Sequence, residues 1–83
     1  MDPSPVLSHR DRAILRAVAA GTAELVVSVA PDLFLDGRCC GDQVAAHRLA
    51  RAGLIAAACP ARAGERVRAD LTSAGRQLLA GTG

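Results

Sequence analysis

Seven side chains in the second half of the chain are of types that read nucleic acid. Gln43, His47 and Arg51 recur every four residues, with Arg48 at their margin. At 100° per residue this spacing puts them on one side of a helix. Arg62, Arg66 and Arg68 follow within a short span that contains Ala63-Gly64, a turn-forming pair. Arginine reads guanine through O6 and N7, and glutamine can read adenine, when an exposed helix enters the major groove. Arginines on a hairpin suit phosphates or an adjacent minor groove. The same residues also fit blander roles. The helix positions could form a solvated face or a protein-partner surface. Charges on the hairpin could simply block edge-to-edge pairing.

Cys39, Cys40 and Cys59, with His9 or His47, offer enough atoms for a metal. Structural zinc sites normally use cysteine pairs separated by two to four residues, and this spacing is absent. Adjacent cysteines rarely close on each other without strain. Three roles stay open for the thiols: small buried apolar groups, a zinc site, or a redox switch. The expectation is no metal and no cofactor. No Ser/His/Asp spacing, phosphate loop or paired carboxylate stands out, so an enzyme is not expected.

Composition narrows the class. The chain has 83 residues, and 51% are hydrophobic. One small domain of this size buries only roughly 60% of its unfolded surface, so self-association is a fair expectation. All ten basic side chains are arginine, and Phe34 is the one aromatic. A single aromatic cannot supply the stacking platforms of single-strand binders. Residues 1–37 carry three arginines and five acids, whereas residues 38–83 carry seven arginines and three acids. The modest net charge of +2 therefore hides a basic second half. No apolar run is long enough to span a bilayer, and Met1-Asp2-Pro3-Ser4-Pro5 does not read as a signal peptide. A cytoplasmic protein with no membrane association is expected.

These side chains need elements to hold them. Residues 1–7, with two prolines, read as a flexible leader to a single domain over 8–80. Ser8 and Asp11 mark a helix start, and apolar Ile14, Ala17 and Val18 carry it to about residue 20. Leu25, Val27 and Val29 share one face of an extended segment, and Leu33-Phe34-Leu35 can return beside it as a hairpin. Asp36-Gly37 then breaks the pattern. A second helix over 42–52 is capped by Asp42 or Cys40 and ended by Gly53. Strands at 54–58 and 66–71 flank a tip over 60–65, and a last helix starts at Thr72 or Ser73. The predicted class is α+β, in the order α-β-β-α-β-β-α.

From residue 43 to about residue 79 the chain resembles a winged helix-turn-helix domain of the MarR-like and related transcriptional regulators. The resemblance rests on Arg48-Leu49-Ala50-Arg51-Ala52-Gly53-Leu54-Ile55, a wing-like stretch from Pro60 to Arg68, and Leu71-Thr72-Ser73-Ala74-Gly75-Arg76-Gln77-Leu78-Leu79. It implies a homodimeric regulator of transcription bound to double-stranded DNA. Helix 42–52 would read the major groove through Gln43, His47, Arg48 and Arg51. Wing 60–68 would hold backbone or minor groove through Arg62, Arg66 and Arg68. The family has a further helix where this chain has the extended segment 25–35. That segment supports an alternative, a protein–protein interaction or dimerisation module without nucleic acid.

Overall fold

A computed structural model describes residues 7–81 of the chain. The class is α+β, with three helices and a five-stranded antiparallel sheet. Helix α1 (His9–Ala19) leads to β1 (Ala23–Val26), β2 (Leu33–Leu35) and β3 (Arg38–Cys39). Helix α2 (Gln43–Arg51) follows, then β4 (Ile55–Ala57), β5 (Arg66–Leu71) and α3 (Ser73–Gly81). The strands lie in the order β3-β2-β1-β5-β4.

One strand corrects the expected order. The predicted α-β-β-α-β-β-α lacks β3, which pairs with β2 through Phe34 opposite Cys39 and Leu35 opposite Arg38. The cause is Asp36-Gly37. Both residues take left-handed backbone, at φ 53° and 81°, the conformation a two-residue hairpin loop demands. The dipeptide turns the chain back into the sheet and does not end the extended region.

Local signals explain the helices. Ser8 accepts from Asp11 N–H and the Asp11 carboxylate accepts from Ser8 N–H, a complete capping box for α1. Asp42 caps α2, accepting from Ala45 N–H at 2.9 Å. Thr72 caps α3, accepting from Gly75 N–H while donating to the Gly53 carbonyl. After α2, Gly53 takes φ 78° and releases the chain into β4. At Gly75 the first turn of α3 lies against the Leu54 backbone, so closely that a Cβ would collide with the Leu54 carbonyl.

The strands alternate sides. Leu25, Leu33, Ile55, Ala69 and Leu71 face the helices and join Ile14, Leu15, Val18, Ala45, Ala46 and Leu49 in one core. Ile55 sits opposite Leu71, as the hairpin pattern predicts. The other face of the sheet is open and carries Phe34, Glu24, Arg66 and Arg68. Leu7, expected in the flexible leader, is buried in the core. The rest of that leader, residues 1–6, lies outside the described residues. No helix among the described residues is long and apolar enough to cross a membrane.

The extended segment 25–35 is not left over as a free surface strand pair. β1 runs between β2 and β5, near the centre of the sheet, with Leu25 opposite both Leu33 and Val67. Val27 still packs against the core, and the chain becomes exposed over residues 28–30, where Val29 is 97% exposed.

Candidate nucleic-acid interface

The outer stripe of α2 is built by Val44, His47, Arg48 and Arg51, spaced three, four and seven residues from the first. Ala45, Ala46 and Leu49 on the opposite side fix its direction by packing in the core. The stripe lines one shallow depression. Val44, 76% exposed, was not among the residues expected there, and an apolar side chain amid a polar pattern carries no charge signal to reveal it.

The start of α2 is fastened to the fold. Gln43 lies at the first turn, and its amide is fully occupied. Nε2 donates to the carbonyls of Leu33 and Cys40 at 2.9 and 3.0 Å, and Oε1 accepts from Leu33 N–H at 3.0 Å. The side chain thus mimics a neighbouring strand toward β2. This placement takes Gln43 away from the base-reading role the sequence suggests.

Two ion pairs cross-brace α1 and α2 reciprocally. Arg10 near the start of α1 reaches the α2 cap Asp42 at 3.0 Å. Arg48 of α2 reaches Asp11, in the α1 capping box, at 2.6 Å. The Asp11 side chain is only 4% exposed, whereas the Arg48 side chain is 60% exposed. Asp42 is held below its ordinary value, first by the Ala45 N–H and then by the Arg10 guanidinium. The sequence shows Asp11 and Asp42 as caps. Their arginine partners lie 37 and 32 residues away in sequence, beyond any local signal.

The end of α2 is different. His47 Nε2 lies 3.2 Å from an Asp32 carboxylate oxygen, a contact at the surface. The Arg51 guanidinium has no hydrogen-bond or ion-pair partner among the described residues. It borders a groove of about 220 Å³ whose walls include Val27, Val29, Pro31, Ile55 and Ala57.

The hairpin arginines divide between two surfaces. Val67 and Ala69 face the helices, so Arg66 and Arg68 project from the open face of the sheet. Arg66 bonds Glu24 at 3.0 Å and lies 4.0 Å over the Phe34 ring. Arg68 has no side-chain partner among the described residues. Arg62 sits in the loop between β4 and β5. Its backbone N–H donates to Glu65 at 2.7 Å, leaving its guanidinium unpaired among the described residues. That loop is pinned beside residues 27–31, because Val27 N–H donates to Glu65 O and Gly64 N–H donates to Val27 O. The loop that carries Arg62 is therefore fixed next to Val27, which lines the groove that Arg51 borders.

The cysteines do not converge. Cys40 is buried, whereas Cys39 and Cys59 are exposed, and all three are free thiols. Among the described residues, no three His, Cys, Asp or Glu side chains gather as metal ligands would. Comparison of the chain with protein-family models, curated proteins and solved structures finds no match.

Proposed function

We propose that this domain binds double-stranded DNA as a winged-helix-like transcriptional regulator, with the outer stripe of α2 toward the major groove. Arg51 provides the principal cation at that stripe. His47 joins it by exchanging its surface partner Asp32 for DNA, while Arg48 stays on the buried Asp11 carboxylate. Arg62 holds the backbone from the neighbouring loop. The observation that carries this reading is two arginines without partners among the described residues, Arg51 bordering the groove and Arg62 on the loop fixed next to Val27 in its wall.

The order of elements agrees with it. A helix, a strand that joins the later hairpin, an exposed helix and then that hairpin are parts a winged helix shares, while the helix the family places before the recognition helix is replaced here by β1–β3. Here the β2–β3 hairpin replaces the middle helix as the brace behind α2, and Gln43 and the Asp11–Arg48 pair fasten it there. Arg66 and Arg68 face away from this stripe and play a secondary part.

The test is fluorescence anisotropy of a labelled duplex at low salt. Binding to duplex that weakens in Arg51→Ala with Arg62→Ala, while Arg66→Ala with Arg68→Ala binds nearly as the parent, supports the proposal. Absence of binding at low salt removes it. A second reading, association with protein alone, draws on the apolar groove and the exposed Val29. Under it the arginine variants leave self-association unchanged and no duplex binds.

A further inference from the structure

Val44 and Val29 are the large hydrophobic side chains that stand exposed among the described residues. Val29 lies in a loop. Val44 sits on a helix whose direction is fixed, because Ala45, Ala46 and Leu49 of α2 are buried in the core. It occupies the second position of α2 and lines the same shallow depression as His47, Arg48 and Arg51. A single exposed valine needs no explanation on an ordinary surface. The charges around this one give it a meaning.

Those charges run unevenly along the helix. At the start of α2, Arg10 is paired with Asp42 and Arg48 with Asp11, so each of these cations meets an acid. Seven residues beyond Val44, about 10 Å along the axis, Arg51 has no partner among the described residues. Phosphate is therefore favoured at the end of the helix. The balanced start is the part suited to base edges, as in recognition helices whose N-terminal residues reach the groove floor. The polar side chains of that first turn are already spent. The Gln43 amide is bonded to Leu33 and Cys40, and Arg48 holds the buried Asp11 carboxylate. Val44 is left to face the bases. An aliphatic side chain cannot pair with the donors and acceptors of the major groove. The apolar group displayed there is the C5-methyl of thymine.

We infer that Val44 packs against the C5-methyl group of a thymine, and that this contact makes the domain prefer thymine at the base pair facing the start of α2. The inference rests on the duplex-DNA reading above and adds what selects the sequence.

Fluorescence anisotropy tests it with a duplex enriched by the full chain from a random-sequence library. The comparison is the same duplex with deoxyuridine in place of thymidine, which removes the methyl group and leaves every hydrogen-bonding edge unchanged. Burial of one methyl-sized group corresponds to about a fourfold change in affinity. The parent is expected to bind the deoxyuridine duplex about fourfold more weakly. Val44→Ala is expected to bind the thymidine duplex about that weakly too, and to lose most of the distinction between the two duplexes, because both changes remove one contact. Its melting temperature should not fall, since Val44 lies outside the core and alanine favours a helix. Equal parent affinity for the two duplexes overturns the inference. So does a Val44→Ala variant that keeps the parent's distinction, or a library from which no sequence is enriched. In these three cases duplex binding itself still stands. A parent that binds no duplex removes the reading on which the contact rests, and the contact with it.

Discussion

The two ends of α2 do different work. At its start, the Gln43 amide, the Asp42 cap and the Arg48–Asp11 pair join the helix to β2 and α1. At its end, Arg51 stands beside a groove with no partner among the described residues. All of these residues look equally polar in the sequence. The structure separates those whose polar groups are consumed in positioning the helix from those without a partner among the described residues. Exposure alone does not draw that line, because Arg48 is well exposed and still engaged with a buried carboxylate.

The sharpest way to break this division is at Gln43. Gln43→Leu removes the hydrogen bonds to Leu33 and Cys40 and leaves the Leu33 N–H and the Cys40 carbonyl without that partner, while the Leu33 carbonyl keeps the Cys40 N–H. Each such group costs about 1–3 kcal/mol, and part of that is recovered where water reaches it. The expected net loss is about 2–4 kcal/mol, read by urea denaturation. Duplex affinity measured below the unfolding transition should change less than about twofold. Unaltered stability with a changed base preference would instead make Gln43 a reader.

Asp11 comes next. Asp11→Ala removes the reciprocal half of the α1 capping box and the partner of Arg48. The expected loss is about 1–2 kcal/mol. Arg48→Met is expected to cost a similar amount, because it leaves the Asp11 carboxylate buried without its cation. A melting temperature unchanged by either variant would contradict the cross-brace.

At the other end of the helix the expectation inverts. Arg51→Ala and Arg62→Ala should each change stability by less than about 0.5 kcal/mol, as surface substitutions without packing roles do. Each should lower the slope of log affinity against log salt by about 0.9. The smallest effect is at Asp42. Its native value lies below the ordinary 3.8, so its stabilising contribution is fully present above that pH. The contribution is lost as pH falls through the lowered native value, and Asp42→Asn should flatten that part of the acid unfolding profile.

Much of the scaffold was legible in the sequence because its signals are local. Ser8 with Asp11 marked α1, Gly53 marked the exit from α2, and the alternation in Arg66–Leu71 marked β5 at its observed bounds. Asp36-Gly37 was also a local signal, but a turn and a chain break share that composition. Only the pairing of Phe34 with Cys39 distinguishes them. The site was less legible. Helical periodicity correctly grouped His47, Arg48 and Arg51 on the outside, yet it could not show which polar groups are already bonded. Gln43 finds its partners ten residues earlier, and Arg48 finds its partner on another helix. Strand alternation sends Arg66 and Arg68 to the open face, whereas composition grouped them with Arg62 in one wing.

The salt dependence of duplex binding tests the central division most directly. With Arg51 and Arg62 each neutralising one phosphate, the parent domain is expected to show a log–log slope of about −1.8 per protomer. The Arg51→Ala, Arg62→Ala variant should lose nearly all of that slope with unchanged thermal stability. A parent that binds no duplex at low salt, or a double variant that keeps the parent slope, would contradict the assignment of the free end of α2 to DNA.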